Sequence, residues 1–209
     1  MTSYVTEANT LSGCYYHIDE SVSFRESVTI VNHKLTGARQ VVSPNQDARP
    51  DSSLSLIIVH GISLPVGYYR GVHIESLFCN SLDCSSHPDF KDLEDLKVSS
   101  HLLIRRNSEL IQFVPFDRRA WHAGRSHYAG QDACNDFSIG IELEGTDTTA
   151  YEPGQYETLA GVCRELVSHY GIDPISIVGH ADVSPGRKTD PGEAFQWVSF
   201  RQRLRKLLA

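Results

Sequence analysis

The chain has 209 residues, of which 40% are hydrophobic and 22% are charged, as is typical of a soluble globular protein. This length fits one domain with a single large core. The formal net charge of −7 argues against a nucleic-acid partner, because phosphate binding needs clustered Lys and Arg. No stretch approaches the roughly 20 apolar residues that cross a bilayer, so we expect no membrane association.

The N-terminus and the cysteines indicate a cytoplasmic protein. The opening residues, MTSYVTEANTLSG, have neither a basic start nor an apolar core, so we expect no secretory signal. Without export, an odd and scattered set of cysteines favours free thiols over disulfides. Cys79 and Cys84 lie closest together, but no second Cys or Cys/His pair at zinc-finger spacing accompanies them. The five are Cys14, Cys79, Cys84, Cys134 and Cys163.

The first half of the chain contains signals for strands and one short helix. Residues 1–50 are rich in Ser, Asn, Thr and Asp and indicate an irregular lead-in. LSLIIVH at 54–60 is a short apolar run with β-branched residues, which is typical of a strand buried on both faces. HIESLFCN at 73–80 favours a short helix, and HLLIRRNSELIQFVP at 101–115 predicts two strands around a turn.

The second half contains the strongest periodic signals. FSIGIELEG at 137–145 alternates and predicts a strand with one apolar face and one face carrying Glu142 and Glu144. A helix is predicted from Tyr156 to Tyr170, where apolar residues recur at helical spacing until Gly171.

Two further elements close the chain. ISIVGH at 175–180 predicts another buried strand, and 193–208 a closing helix whose basic cluster, RQRLRKLL at 201–208, suits an exposed face and a helix C-terminus. Strands and helices interleave without a strict βαβ rhythm. The fold class expected is therefore mixed α/β, in one domain with a central sheet.

Histidines follow two of the predicted strands. LIIVH ends in His60 and SIVGH ends in His180, and ligands gather at strand ends in open α/β sheets. With Asp190 behind a short stiff loop, they form a donor set that suits zinc and leaves a fourth position open. A lone histidine after an apolar run is more often structural, and no H-E-x-x-H motif is present, so spacing leaves that alternative open.

Three other features are compatible with chemistry near such a metal. A glutamate at 142 or 144 could take a proton from water, although a strand with a solvated face explains both. Lys188 could stabilise an oxyanion, or be a plain surface lysine. In AWHAG at 120–124, Trp121 and His122 suit either core packing or an exposed wall that stacks on a sugar or peptide.

Four long motifs then resemble, in order and spacing, the AmpD family of amidases across roughly residues 38–205. These are IIVHGISLPVGYYRG, VSSHLLIRRNSELIQFVPFDRRAWHAG, CNDFSIGIELEGTD and GHADVSPGRKTDPG. AmpD enzymes belong to the amidase_2, or peptidoglycan-recognition-protein-like, superfamily. The resemblance implies a central mixed β-sheet flanked by helices, with a zinc groove on one face. It also implies an amidase domain at 38–209, preceded by an N-terminal extension at 1–37.

The resemblance also implies roles for individual residues. The ligands of one Zn²⁺ ion fall on His60, His180 and Asp190. The catalytic glutamate falls on Glu142 and the catalytic lysine on Lys188.

Substrate contacts follow from the resemblance less directly. Trp121, His122 and Lys97 match positions that line the substrate groove. Lys97 replaces an expected Arg, Gly61 an expected Asn and Ala133 an expected basic residue. These departures leave open the preference for anhydro over non-anhydro muropeptides.

The reaction implied is hydrolysis of the amide between the lactyl group of 1,6-anhydro-N-acetylmuramic acid and L-alanine. This step of cell-wall recycling removes muropeptides that induce β-lactamase. We expect a monomer with a small muropeptide as its partner. Three alternatives remain: a non-catalytic peptidoglycan-binding module of the same fold, an exported amidase acting on intact cell wall, and a zinc peptidase of ordinary peptides.

Overall fold

A computed structural model describes residues 28–51 and 53–209. Cys14 and the first 27 residues of the predicted extension lie outside the described residues, and the domain boundary at 38 stays a prediction. The helices are α1 (His73–Phe78), α2 (Pro153–Tyr170), α3 (His180–Val183) and α4 (Trp197–Leu208). The strands are β1 (Ile30–Val31), β2 (Lys34–Leu35), β3 (Arg39–Gln40), β4 (Gln46–Ala48), β5 (Leu56–Ile62), β6 (Leu102–Ile104), β7 (Leu110–Gln112), β8 (Arg118–Ala120), β9 (His127–Tyr128), β10 (Gln131–Asp132), β11 (Ser138–Glu144) and β12 (Ile177–Gly179).

A six-stranded mixed sheet forms the centre of the molecule, in the order β12–β5–β11–β6–β7–β3. The four strands from β12 to β6 run parallel, β7 is antiparallel to β6, and β3 is parallel to β7. The antiparallel pair β6–β7 is the hairpin predicted at 101–115. The predicted class, mixed α/β with one central sheet flanked by helices, is confirmed.

The two longest strands position the candidate site. β5 and β11 pair in parallel over seven residues each, and His60 lies opposite Glu142. Ile57 of β5 and Ile141 of β11 belong to the same buried cluster as α2. Because side chains alternate along a strand, His60 and Glu142 project from the opposite face of the sheet.

The polar face of β11 is not solvated. Glu142 is only 7% exposed and Glu144 only 1%. The explanation of these glutamates as members of a solvated strand face is therefore wrong. Both glutamate side chains are therefore largely enclosed by the protein.

Helix α2 confirms the strongest periodic signal in the chain. It begins after a capping box, in which Glu152 and Gln155 bond reciprocally, and ends at Gly171. Gly171 has φ +69, a left-handed conformation that glycine adopts without a Cβ penalty. The short helix predicted at 73–80 is also present as α1.

Differences from the sequence-based expectation concern the closing helix, β5 and the lead-in. The closing helix begins at Trp197, because the amides of Ala194 and Gln196 bond to Asp147 and Tyr156 outside the helix. His60 lies inside β5 rather than at its end. The strand continues to Ile62, because the Ile62 carbonyl accepts a hydrogen bond from the Gly145 amide.

The third difference lies in the predicted lead-in. Its described part forms four short strands, and β3 joins the central sheet beside β7. Val28, Ile30 and Leu35 are buried in the main core, so apolar packing orders a segment whose composition is largely polar.

Two further expectations concern the thiols and the membrane. The described cysteines, Cys79, Cys84, Cys134 and Cys163, are all free, as predicted. Among the described residues, no helix combines the length and hydropathy needed to span a bilayer.

Candidate metal centre and active site

Three predicted metal ligands converge on one point beside the sheet. His60 lies on β5, His180 opens α3 directly after β12, and Asp190 lies on the loop that follows. The His60 Nδ1 atom is 3.0 Å from His180 Nδ1 and 3.3 Å from Asp190 Oδ2. His180 Nδ1 is 3.1 Å from the same carboxylate oxygen. Residues from widely separated parts of the chain, His60 to Asp190, thus present three donor atoms in a nearly equilateral triangle.

The triangle fits a zinc ion by donor type and by size. Zinc binds imidazole nitrogen and carboxylate oxygen at about 2.0–2.2 Å in tetrahedral geometry, which separates neighbouring donors by about 3.3 Å. Two imidazole nitrogens and one carboxylate oxygen also match a catalytic zinc centre, which keeps one position open.

The second nitrogen of His180 fixes its tautomer. His180 Nε2 lies 3.2 Å from the Ala123 carbonyl oxygen, which can only accept a hydrogen bond. The shorter contact assigns the proton to Nε2, although the Arg187 guanidinium also lies 3.4 Å away, and the lone pair of Nδ1 then points into the triangle. Such outer contacts orient metal-binding histidines in proteins generally.

The electrostatics favour the protonation states that a metal requires. Burial lowers the pKa of His60 to about 4, so this imidazole is neutral at neutral pH. Burial alone would raise the pKa of Asp190, but the adjacent imidazoles of His180 and His60 hold that pKa well below the usual range. Neutral imidazoles and an ionised carboxylate are the forms that bind a divalent cation.

The backbone around Asp190 is held from two sides. The Ala181 amide donates to the Asp190 carbonyl at 3.0 Å, and the Tyr151 hydroxyl donates to the Pro191 carbonyl at 3.0 Å. A Cβ at Gly61 would lie 2.4 Å from that hydroxyl, so Gly61 leaves room for it. Tyr151 is a contributor that sequence reasoning missed, because a tyrosine forty positions away carries no local signal.

Glu142 lies beside the triangle as an unpartnered carboxylate. Burial, with a smaller contribution from Asp190, raises its pKa well above the usual value, while Lys188 acts in the opposite direction. Among the described residues, none donates a hydrogen bond to this carboxylate. A buried carboxyl with a raised pKa beside a candidate metal centre suits general acid–base chemistry.

Lys188 lies on the loop between His180 and Asp190. Its side chain is exposed, and it is near enough to influence the pKa of both Glu142 and His60. Its neighbour Arg187 holds the loop in place by donating to the carbonyls of Ala123 and Arg125 at 2.6 and 2.8 Å. Sequence reasoning did not single out Arg187, although it directly precedes Lys188.

The three predicted substrate contacts fall in different environments. Trp121 is half-buried, and its amide bonds to Ser99 Oγ at 3.1 Å. Lys97 is exposed on the loop that leads to Ser99. His122 lies directly against the metal triangle, with Nδ1 3.0 Å from His60 Nε2.

The mixed sheet defines an α/β protein, and its candidate donor set is of the kind that metallohydrolases use. The N-acetylmuramoyl-L-alanine amidase model, Amidase_2, matches residues 50–193. The chain therefore belongs to the N-acetylmuramoyl-L-alanine amidase family. This membership confirms the predicted family and the predicted enzyme class, an amide hydrolase.

Similarity to known amidases extends over most of the chain. The chain is 53% identical to the 1,6-anhydro-N-acetylmuramyl-L-alanine amidase AmpD of Escherichia coli K12 over 173 residues, which cover 82% of this chain and 94% of that protein. A crystal structure of a selenomethionine AmpD derivative aligns with TM-score 0.81 at 49% identity, over 86% of this chain and 99% of that one. The E. coli amidase AmiD, in complex with its substrate anhydro-N-acetylmuramic acid-L-Ala-D-γ-Glu-L-Lys, aligns with TM-score 0.53 at 26% identity, over 85% and 65% of the two chains.

Proposed function

We propose that this protein is a zinc-dependent amidase that hydrolyses the lactyl–L-alanine amide of 1,6-anhydro-N-acetylmuramyl peptides. One observation carries the proposal: a His/His/Asp triangle of zinc dimensions lies beside an unpartnered buried glutamate. The similarity to AmpD over most of both chains supports this choice of substrate.

His60, His180 and Asp190 would hold the ion. When bound, zinc supplies Lewis acidity, which lowers the pKa of water and polarises a carbonyl group. The raised pKa of Glu142 suits a carboxylate that accepts a proton from the attacking water on one of its oxygens. The same carboxyl group then passes the proton to the leaving nitrogen of L-alanine, so that the amine departs in neutral form.

Lys188 would stabilise the negative charge that develops on the carbonyl oxygen. Its ammonium extends from a loop that Arg187 pins to the carbonyls of Ala123 and Arg125. Preorganised donors of this kind act on the transition state more than on bound substrate.

Trp121 and Lys97 would contact the substrate outside the metal centre. Trp121 offers an aromatic surface for a sugar ring, and Lys97 a cation for a carboxylate of the stem peptide. The proposal further places the enzyme in the cytoplasm as a monomer, acting on soluble muropeptides in cell-wall recycling. The AmiD complex with an anhydro-muramyl tripeptide shows that a protein of related fold binds this class of ligand.

The decisive experiment compares three substrates with the pure protein: anhydro-muramyl tripeptide, its reducing-end muramyl counterpart and a plain tripeptide. Mass spectrometry should show release of the tripeptide from the anhydro substrate, together with one zinc per chain and loss of activity with a chelator. Cleavage of the plain tripeptide alone would identify a peptidase instead.

Two controls address the remaining alternatives. Glu142→Gln should keep zinc and lose turnover, which separates catalysis by this protein from a contaminating amidase. Muropeptide binding without turnover in the zinc-loaded wild type would indicate a recognition module. Release of peptide from intact sacculi as fast as from soluble muropeptide would indicate an enzyme of the cell wall.

A further inference from the structure

Both ring nitrogens of His122 are engaged within the protein. Nδ1 lies 3.0 Å from His60 Nε2, and Nε2 lies 3.3 Å from Ser138 Oγ. The rings of His122 and His60 meet edge to face, with centroids 5.1 Å apart. A side chain with both polar atoms occupied has little capacity left to bind a ligand by hydrogen bonds.

The direction of the bond between the two histidines decides whether His60 can bind a metal. If His122 Nδ1 donated, neutral His60 would carry its proton on Nδ1, inside the triangle. If His122 Nδ1 accepts, the proton of His60 lies on Nε2, and the Nδ1 lone pair faces His180 and Asp190. Only the second arrangement leaves all three donor atoms free for a cation.

The surrounding structure holds the ring of His122 in place. A Cβ at Gly140 would lie 2.5 Å from the ring of His122, so the imidazole can pack against β11 only because residue 140 is glycine. The Asn135 side-chain oxygen accepts hydrogen bonds from the amides of His122 and Ala123, at 3.2 and 2.8 Å. The Ser138 hydroxyl can accept the remaining proton, on His122 Nε2.

Two consecutive residues thus support both histidine ligands. The side chain of His122 contacts His60, and the carbonyl of Ala123 contacts His180. Asn135 fixes the backbone of this pair from behind. A shift of the 122–123 backbone would therefore move both imidazoles together.

We propose that His122 is a positioning residue, which accepts the Nε2 proton of His60 and thereby directs His60 Nδ1 to the zinc ion. The inference rests on the zinc centre proposed above. It differs from the sequence-based prediction that His122 lines the substrate groove, because it places the effect of His122 on metal affinity rather than on substrate affinity.

Zinc affinity, measured by competition with a chromophoric chelator, tests this role. His122→Ala should weaken zinc binding about 10- to 100-fold, the usual effect of removing an outer-shell partner. His122→Asn should restore most of the affinity, because its side-chain oxygen can accept at the place of Nδ1. The matched control is His127→Ala, at an exposed histidine paired with Asp132, and should bind zinc like the wild type.

Several outcomes would overturn the proposal. One is unchanged zinc affinity in His122→Ala, and another is equal weakening in the Ala and Asn variants. A raised KM for muropeptide with unchanged zinc affinity would support the groove assignment instead. If the wild type itself bound no zinc, the proposed function would fail rather than this inference.

Nitrogen-15 NMR of the zinc-loaded wild type gives a test that needs no variant. The expected spectrum shows His60 protonated at Nε2, His122 protonated at Nε2 and His122 Nδ1 as an acceptor. A proton on His122 Nδ1 would overturn the proposal even if every variant failed to fold.

Discussion

Glu142 and Glu144 lie two residues apart on the same face of β11, and both are buried. Glu144 is fully partnered: Arg105 donates at 2.9 Å, and the amides of Arg70 and Arg106 donate at 2.7 and 3.1 Å. Glu142 has no such donor among the described residues, and its pKa is raised by burial.

The difference shows how one strand serves both stability and chemistry. A buried carboxylate that accepts hydrogen bonds from three donors stays ionised. It also anchors the loops that supply those donors. A buried carboxylate without donors costs free energy in its charged form, and so can exchange a proton readily. The partners of each glutamate, rather than its position on the strand, thus separate the two roles.

The largest expected effect comes from removing the charge of Glu142. Glu142→Gln should lower kcat by about 10²- to 10⁴-fold, because a positioned general acid–base group contributes about that much. Its stability should equal or exceed that of the wild type, because the change removes an unpaired buried carboxylate. Steady-state kinetics and thermal unfolding of the zinc-loaded protein measure both; unchanged kcat would remove Glu142 from the mechanism.

The matched substitution at Glu144 should affect stability instead. Glu144→Gln leaves Arg105 with Glu75 and Glu109 but without the most buried of its three carboxylates, and we expect a loss of about 3 kcal/mol in the free energy of unfolding. Denaturant unfolding gives the loss directly. The kcat of the folded fraction should stay within a few-fold of wild type, and a drop as large as that of Glu142→Gln would erase the distinction.

The two glutamates also differ in the cation that lies near each carboxylate. Arg105 neutralises Glu144 through a short ion pair, whereas Lys188 acts on Glu142 from an exposed position. Lys188→Ala should lower kcat about 10²- to 10³-fold with little change in KM, as expected for a donor that acts in the transition state. The role assigned to Lys188 fails if KM rises and kcat does not change.

The smallest effect is the pH dependence that Glu142 adds to stability. Because its folded pKa is raised, the folded state holds a proton that the unfolded state releases near pH 4.5. This contribution is complete below pH 4.5 and is lost as pH rises through the folded pKa. Unfolding of the metal-free wild type and of Glu142→Gln should therefore be compared as pH rises across this range. The free energy of unfolding of the variant should increase relative to that of the wild type, by at most about 1.4 kcal/mol per pH unit. A difference that does not vary with pH would contradict the raised pKa.

Local sequence patterns determined several elements of this protein. The apolar spacing from Tyr156 to Tyr170 and the glycine that follows specify α2, since helix periodicity and a left-handed C-cap are properties of neighbouring residues. The alternation at 137–145 and the apolar run at 54–60 specify β11 and β5. The family motifs indicated His60, His180 and Asp190 as ligands before any distance between them was known.

Tertiary structure alone decided how those residues meet. The alignment of His60 with Glu142 depends on the register of two strands far apart in sequence, which no local preference sets. The burial of both glutamates, the partnering of Glu144 and the contact between His60 and His122 arise from contacts across 30 to 80 positions. Local propensity acts over a few residues, whereas hydrogen bonding and desolvation act on whichever groups the fold brings together. For that reason the sequence predicted a ligand set, and the structure revealed which contacts hold those residues together.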